Sequence, residues 1–562
     1  MTFDDKNIDY SLVTTLLKNR GYSDTEIDHV LYAKFLSVRS PNKLHNAESA
    51  AKLIKQYCDN NFSYIYIYAD YDVDGLTSGY IIKDVLDKKS TGKVELLFPN
   101  RSDGYGLNLK TCQDIIARHK NTNTPVLVIT VDNGITCVDQ INLLKENNIE
   151  ALVLDHHESK ETVPDCLIVD AHGPDKDESN YHLCGCEVVY KVCQILTSLY
   201  DEYNMMRYLP FVALGILADM MELTEENIAL VRYGIDIMNT GQTISTGLNQ
   251  LIEYCGLTNN LYPNDLKFDI IPKLNACGRM NNIQLAYKLL ITKDETECDD
   301  IINEIVDLND MRKDLTKSAK KLIKEKIESY PINWLDQHTF SMVLDKEYSG
   351  ICGVVATQAI QEYELLPIAF AVTKTEDKLF VGSIRVNDRY ICLDTQEVLN
   401  QELEKGIISF FGGHKYAAGF AMPSDNKNLE IFINDLDSYI INQFSNYDDS
   451  CIQQSDELIY DAEINYDNFS EEFYRSYGFM PFNNDPVFCL KDVYCLSSHC
   501  SKNNPLNIEY KFVKNNQIKD IWIWNEKDKR INKTKVNLYG SIVPDFRNRN
   551  KYTMKIKNII KC

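Results

Sequence analysis

From Ser63 onward the chain sets short, mostly apolar runs against longer stretches of mixed character. The runs are YIYIYA (64–69), VELLF (94–98), VLVIT (126–130), ALVLD (151–155) and LIVDA (167–171), and helix-length segments separate them. A strand with one wet face alternates apolar and polar residues. Runs that lack this alternation predict strands covered on both faces, and helical connections predict that those strands are parallel. Upstream, residues 1–58 read as helical, with an apolar period through Ile27, Val30, Leu31 and Phe35 and a break at Pro41.

Downstream the pattern changes three times. Residues 185–255 read as predominantly helical, and the charged stretch from about 294 to 330 reads as one long helix ended by Pro331. A second α/β region follows, with strands predicted at FSMVLD (340–345), PIAFAVT (367–373) and KLFVGSIR (378–385). Polar sequence near NYDDSCIQQSDE (446–457) marks the next boundary, and the Tyr-, Val-, Ile- and Asn-rich tail predicts a small β-barrel or sandwich. The expected organisation is a helical cap (1–58), a parallel α/β unit (59–290), a linking helix (291–336), a second α/β unit (337–446) and a β unit (453–562).

Composition narrows the classes. Hydrophobic residues make up 44% of the 562 residues and charged residues 25%, the balance of a globular protein with sizeable cores. No apolar stretch approaches the ~18 residues of a membrane span, and the N-terminus lacks a signal-like apolar segment, so a cytoplasmic protein without a membrane partner is expected. The 17 cysteines, scattered through apolar runs, are expected as reduced thiols. Cys489, Cys495, His499 and Cys500 have zinc-ligand chemistry but no paired spacing. A net charge of −23 disfavours a generally basic nucleic-acid surface, so any such binding must be local.

The strongest chemical signal is acidic. Asp70, Asp72 and Asp74 follow the first predicted strand, Asp132 the third, and Asp155, His156 and His157 the fourth. In an open α/β sheet, ligands bind beyond the carboxyl ends of the strands, so these groups converge. Carboxylates gathered there raise one another's pKa unless a cation neutralises them. Carboxylate with imidazole suits Mn²⁺, and oxygen alone suits Mg²⁺. Two ions about 3.5–4 Å apart, bridged by Asp132, would suit in-line displacement at phosphorus. DYDVDG also matches the start of a calcium-binding EF-hand loop, but that loop needs a preceding helix and an acidic twelfth residue, where this chain has a strand and Ile81.

DYDVDG, VDNG and DHH, in this order, resemble the first three motifs of the DHH phosphoesterase superfamily, and GILADMMELTEENIALVRYG (215–234) resembles the fourth. FPNRSDGYGL (98–107), LCGCEVVYK (183–191), PKLNACGRM (272–280), SGICGVVATQ (349–358), GSIRV (382–386), GGHKYAAGF (412–420) and PFNNDPVF (481–488) resemble RecJ-type exonucleases within it. One departure is Cys277, where the usual motif has alanine. The resemblance implies a DHH catalytic domain, a long linking helix, a DHH-associated domain and an oligonucleotide-binding (OB) β-barrel around a channel for one strand. It implies 5′→3′ hydrolysis of single-stranded DNA to mononucleotides with Mn²⁺ or Mg²⁺, in repair and recombination.

By the same resemblance, Asp70, Asp72, Asp74, Asp132, His156 and Asp219 are the expected metal ligands, with Asp132, Asp155, His156 and His157 catalytic. His157 would contact the scissile phosphate or act as general acid, and Asp155 would orient its neighbours. Arg101, Arg279, Gly382, Ser383, Arg385, Gly412, Gly413 and His414 are the expected nucleic-acid contacts, since Arg and His supply charged donors and glycines let backbone N–H groups approach an anion. Tyr510, Phe512, Trp522 and Trp524 are candidates for base stacking. Expected partners are single-stranded DNA and a single-strand-binding protein or helicase, for a monomer. The competing readings are a DHH phosphodiesterase for short oligonucleotides or cyclic dinucleotides, or a non-catalytic Cdc45-like replication scaffold.

Overall fold

The computed structural model describes residues 10–31, 37–99, 106–159, 162–172, 182–222, 224–257, 261–329, 338–363, 366–375, 378–446, 460–478, 480, 485–500, 508–514, 517–523, 533–545 and 548–562. Helices α1 (Tyr10–Asn19), α2 (Asp24–Leu31) and α3 (Ala47–Cys58) precede a βα series. It comprises β1 (Tyr64–Ala69), α4 (Val73–Lys89), β2 (Lys93–Leu97), α5 (Leu109–His119), β3 (Val126–Val131), α6 (Val138–Glu146), β4 (Glu150–Asp155) and β5 (Leu167–Asp170). The strands lie in the order β2-β1-β3-β4-β5, and every pairing is parallel.

YIYIYA shows why the apolar runs lack alternation. Ile65 and Ile67 enter the core shared with α3, α4 and the later helices, while Tyr66 and Tyr68 enter a second core on the opposite face with Cys112, Ile115 and Ile141. The buried hydroxyls find partners, as buried tyrosines require. Tyr68 Oη donates to Gly106 O at 3.2 Å, and Tyr66 Oη lies 3.0 Å from His119 Nε2.

Register carries the consequence for chemistry. Ala69 stands beside Val131, and Val131 beside Leu154. The next residues, Asp70, Asp132 and Asp155, therefore emerge together at the carboxyl edge of three adjacent strands.

A helical layer follows: α7 (Gly185–Ser198), α8 (Leu209–Ala218), α9 (Glu225–Asn239), α10 (Thr246–Tyr254), the one-turn α11 (Pro263–Asp265), α12 (Ile271–Arg279) and α13 (Ile283–Ile291). Helix α14 (Glu295–Ser329) then runs 35 residues, roughly 50 Å at the standard rise. Its early residues Ile301, Ile302 and Ile305 pack in the core of the parallel sheet, and its later residues Ala319 and Ile323 pack in the core of the next sheet.

That second sheet contains β6 (Thr339–Leu344), β7 (Ile368–Lys374), β8 (Leu379–Val386), β9 (Phe410–His414) and β10 (Ala417–Pro423), with α15 (Cys352–Glu362), α16 (Thr395–Glu404) and α17 (Asn426–Asn446). Its order is β6-β7-β8-β10-β9, parallel between β6 and β7 and antiparallel elsewhere. The pairings set Ser383, Gly419 and Gly412 in one row, and Arg385, Ala417 and His414 in another.

The third sheet follows β11 (Ala462–Glu463) and α18 (Glu471–Gly478). Strands β12 (Phe488–Cys500), β13 (Ile508–Lys514), β14 (Gln517–Ile523), β15 (Thr534–Asp545) and β16 (Asn548–Lys561) lie antiparallel in the order β14-β13-β12-β15-β16. The edge strands β14 and β16 approach within 8 Å between Cα atoms, but among the described residues they do not pair, so the observed element is an open sheet, antiparallel except for the short parallel pairing of β11 with β12. Helices α1 and α2 pack Val13, Leu16, Leu17, Ile27, Val30 and Leu31 into its core.

Two expectations change here. Tyr510 and Phe512 are fully buried in that core and unavailable to bases, because strand alternation turns Lys511 and Val513 outward instead; Tyr494 is the neighbouring aromatic that is 40% exposed. The Trp522 side chain and Trp524 lie outside the described residues. The cysteines whose side chains are described are free thiols except Cys392, which is disulfide-bonded. Among the described residues, no helix is long and apolar enough to cross a membrane.

Asp461 ties the chain's two ends together. Its carboxylate accepts from Arg20 Nε at 2.7 Å and Nη2 at 3.2 Å and from Val487 N at 2.7 Å, with only 9% of the side chain exposed. Asp461→Ala removes both Arg20 hydrogen bonds to this carboxylate and the acceptor of the Val487 N–H, so denaturant unfolding should show a loss of about 3 kcal/mol.

Candidate metal centre and adjoining cleft

The strand ends deliver the acidic groups, and the helices hold them. Asp72 is the N-cap of α4 and accepts from Gly75 N at 3.0 Å. Asp74, in the first turn of α4, accepts from Gly185 N at 2.7 Å and Cys186 N at 3.0 Å, so the N-terminus of α7 points its unsatisfied donors at this carboxylate. Asp132 sits in the left-handed region at φ 60, a conformation Asp tolerates better than most residues, and so turns the chain at once after β3. Asp219 ends α8 with its side chain 31% exposed.

His156 is the hub. Its Nε2 lies 3.1 Å from Asp132 Oδ1, 3.6 Å from Asp219 Oδ2 and 3.8 Å from Asp74 Oδ2. Three ligand sets each bring their donor atoms within 4.8 Å: Asp132, His156 and His157; Asp74, His156 and Asp219; Asp70, Asp72 and Asp132. The helix surfaces around them are bare of side chains. A Cβ on Gly185 would meet Asp132 Oδ1 at 2.6 Å, and one on Gly215 would meet Asp74 Oδ1 at 2.5 Å.

Electrostatics shows that the donor set fits a cation. Burial, then the neighbouring carboxylates, push Asp132 and Asp219 well above the usual carboxylate range. Asp74 is pushed up to about 6, by burial first and by Asp72 second. A divalent ion among these oxygens and the imidazole would remove both penalties.

Asp155 and His157 behave differently. Burial alone would raise Asp155, but the charge and hydrogen bond of His157 (Nδ1 at 2.7 Å) outweigh it, helped by Ile135 N at 2.9 Å and His156 N at 2.8 Å, and the carboxyl is held below its usual range. His157, which burial alone would lower, is carried by Asp155 up to about 9.

Beside the cluster opens a cleft of about 280 Å³ lined on one side by Asp70, Asp72, His157, Asn275 and Arg279, and on the other by Ser383, Arg385, Gly412 and Gly413. One wall belongs to the parallel sheet and α12, the other to β8, β9 and β10. A cationic, glycine-lined wall facing an acidic one suits a phosphate-bearing ligand held by metal on one side and by N–H donors on the other.

The expected site residues thus fall into groups. Asp70, Asp72, Asp74, Asp132, His156, His157 and Asp219 are brought together in the ligand sets, and Asp155 supports His157. Arg279, Ser383, Arg385, Gly412 and Gly413 line the cleft; Gly382 lies in β8 with its Cα against Ala371 O of β7, where a Cβ would come within 2.0 Å. Arg101 and the His414 side chain lie outside the described residues. Sequence reasoning assigned no role to Asn275, whose Oδ1 accepts from Val73 N at 3.1 Å, or to Gly185 and Cys186. Their only signal was membership of the PKLNACGRM and LCGCEVVYK segments.

The raised acids make a test of sign. A carboxyl whose pKa is higher folded than unfolded contributes stability fully below its unfolded value near 4 and loses that contribution as pH rises. In EDTA the protein should therefore weaken from about pH 4 toward neutrality. Asp132→Asn keeps the left-handed turn and removes one charge, so at pH 7.5 in EDTA it should be more stable than the wild type by on the order of 1–2 kcal/mol. Thermal melts with and without Mn²⁺ check this: the ion should stabilise the wild type far more than the variant.

Comparison with known proteins agrees with this geometry. The model of the DHH family, N-terminal domain, matches residues 64–216. The single-stranded-DNA-specific exonuclease RecJ of Bacillus subtilis (strain 168) is 29% identical over 420 residues, 74% of this chain, which spans 50% of that relative's length. The crystal structure of RecJ in complex with Mn²⁺ from Thermus thermophilus superposes with a TM-score of 0.74 at 22% identity, covering 98% of this chain and 76% of that one. A crystal structure of exonuclease RecJ bound to manganese gives a TM-score of 0.57 at 26% identity, covering 71% of this chain and 95% of that one. The chain is thus similar to the DHH family over residues 64–216, and over most of its length it is RecJ-like in sequence and fold.

Proposed function

We propose that the chain is a metal-dependent 5′→3′ exonuclease that hydrolyses single-stranded DNA to 5′-mononucleotides, in DNA repair and recombination. The observation that carries this reading is the two-walled cleft, acidic on one side and arginine- and glycine-lined on the other. Likeness to proteins named single-stranded-DNA-specific exonucleases supports the substrate.

Asp70, Asp72, Asp74, Asp132, His156 and Asp219 would hold two ions, Mn²⁺ or Mg²⁺, as the sets Asp70, Asp72, Asp132 and Asp74, His156, Asp219 bring their donor atoms together. Bound there, such ions neutralise phosphate charge and supply a nucleophilic water at neutral pH. Hydrolysis joins the water oxygen to phosphorus and breaks the P–O3′ bond, and the departing 3′ oxygen needs a proton. His157 lines the cleft and is kept protonated by Asp155, so it is the group assigned to that proton. Arg279, Ser383, Arg385 and the N–H groups of Gly412 and Gly413 hold the strand's phosphates, with Gly382, Arg101 and His414 assigned alongside them.

In this reading residues 59–290 are the DHH catalytic domain, 291–336 the link, 337–446 the DHH-associated domain, and 1–58 a helical cap. Residues 453–562 are an OB-fold that takes the strand beyond the site, a reading supported by the antiparallel strand order and the approach of β14 to β16. The protein acts as a cytoplasmic monomer, with a single-strand-binding protein or helicase as partner.

Incubation with Mn²⁺ or EDTA and 5′-labelled, 3′-labelled or duplex DNA tests this. Single strands should shorten from the 5′ end to mononucleotides with Mn²⁺ alone, and a metal-independent ladder or digestion of the duplex control would overturn it. Asp132→Asn should lower kcat by about a thousandfold or more. His157→Asn should cost about 10²–10⁴ in kcat, mostly without changing KM, because it removes a proton donor used in the transition state.

A further inference from the structure

Helix α12 touches both walls of the cleft, backbone against backbone. On the acidic side Asn275 accepts from Val73 N, and a Cβ on Gly278 would lie 1.9 Å from the carbonyl oxygen of Tyr71, the residue between Asp70 and Asp72. On the opposite side, a Cβ on Gly350 would lie 1.7 Å from the carbonyl oxygen of Arg279, the last residue of α12. Gly350 closes the 3₁₀ turn Lys346–Ile351 that leads into α15, and there a Cβ on Gly353 would lie 2.5 Å from Nη2 of Arg385. None of these three glycines is left-handed, so closeness excludes a side chain, not backbone conformation. The contacts form one line: the loop bearing Asp70 and Asp72, then α12, then the Gly350 turn and α15, then the Arg385 guanidinium.

We infer that α12 is a spacer that sets the distance between the acidic cluster and the Arg385 wall, with Gly278 and Gly350 as positioning residues, an inference that rests on the exonuclease reading above. Packed backbones have no rotamers with which to absorb an added atom, so such a contact transmits displacement instead of damping it. The distance matters because an enzyme that releases one nucleotide must grip the strand at two points. When the scissile ester reaches the acidic cluster, the strand's own terminal phosphate lies one nucleotide away, and Arg385 and Ser383 form the anion-binding wall across the cleft. The spacer therefore determines whether both grips engage together, which makes it a determinant of preference for a phosphorylated end. PKLNACGRM and SGICGVVATQ supply its contacts: Gly278 and the Arg279 carbonyl lie in the first, and Gly350 and Gly353 in the second.

Gly350→Ala must move the α15 side outward by roughly 1.5 Å to restore an ordinary carbon–oxygen contact, a scale at which misplacement costs up to about 10²-fold in rate. Full-length wild type and variant are compared on single strands with a 5′-phosphate or a 5′-hydroxyl, on bis(p-nitrophenyl) phosphate, and by Mn²⁺ titration. For Gly350→Ala, Mn²⁺ affinity and bis(p-nitrophenyl) phosphate hydrolysis should stay within about twofold, and kcat/KM on the phosphorylated strand should fall about 10–100-fold. The 5′-hydroxyl strand should change little, so the phosphate preference collapses. Adding Gly350→Ala to Arg385→Ala should cost nothing further, because both act on the same grip. Gly353→Ala, which meets side-chain atoms of Arg385 and Ser383 and not backbone, should give a smaller loss of the same kind. The inference is overturned if the wild type shows no preference for a 5′-phosphate, if Gly350→Ala retains it, or if Gly350→Ala and Gly353→Ala lose all activities and Mn²⁺ affinity in step. A wild type without Mn²⁺-dependent strand hydrolysis would instead sink the exonuclease reading itself.

Discussion

The structure depends on repulsion among buried carboxylates. Asp70, Asp74 and Asp132 are almost wholly withdrawn from water, with Asp72 and Asp219 beside them, and like charges at low dielectric oppose one another and oppose their own burial. A protein selected only for stability would not gather them. The surrounding fold restrains the cluster: parallel strand ends in register, the N-terminus of α7 donating to Asp74, and glycines at 185 and 215 where no side chain fits. The stored electrostatic cost is what makes the site a receptor for divalent cations.

The same logic separates the two histidines that neighbour each other in the chain. His156 turns toward the carboxylates and shares their ligand sets. His157 is held by Asp155, whose other contacts are backbone N–H groups. Two adjacent imidazoles thus differ in their partners: His156 faces the carboxylate ligand sets, and His157 faces Asp155.

Helix α14 then explains how one chain makes a cleft between two sheets. It is continuous through both cores, so the acidic wall and the cationic wall are built on a common rod instead of a loose linker, and α12, part of the acidic wall, meets the Gly350 turn that leads to α15. The net charge of −23 is compatible with a nucleic-acid substrate under this arrangement, because the cations that meet phosphate are local to the cleft.

Much of this was legible in the residues. The absence of alternation in YIYIYA and VLVIT demanded strands covered on both faces, and aspartates placed just after such runs had to lie at the carboxyl edge, because period-two geometry and parallel register leave few other places. Local chemistry therefore determined the parallel sheet, the long helix and the strand-end members of the acidic cluster, whereas Asp219 was reached only through the family resemblance. Tertiary structure alone decided which aromatics of the C-terminal sheet are core, since Tyr510 and Phe512 have the same alternating signature as exposed residues until a facing layer is known. It alone decided that Asn275 and the N-terminus of α7 hold the acidic loop, and that Gly278 and Gly350 touch backbones distant in sequence. The physical reason is the range of the forces: hydrophobic periodicity and turn chemistry act over a few residues, whereas close approach and mutual charge depend on groups that meet only when the chain has folded.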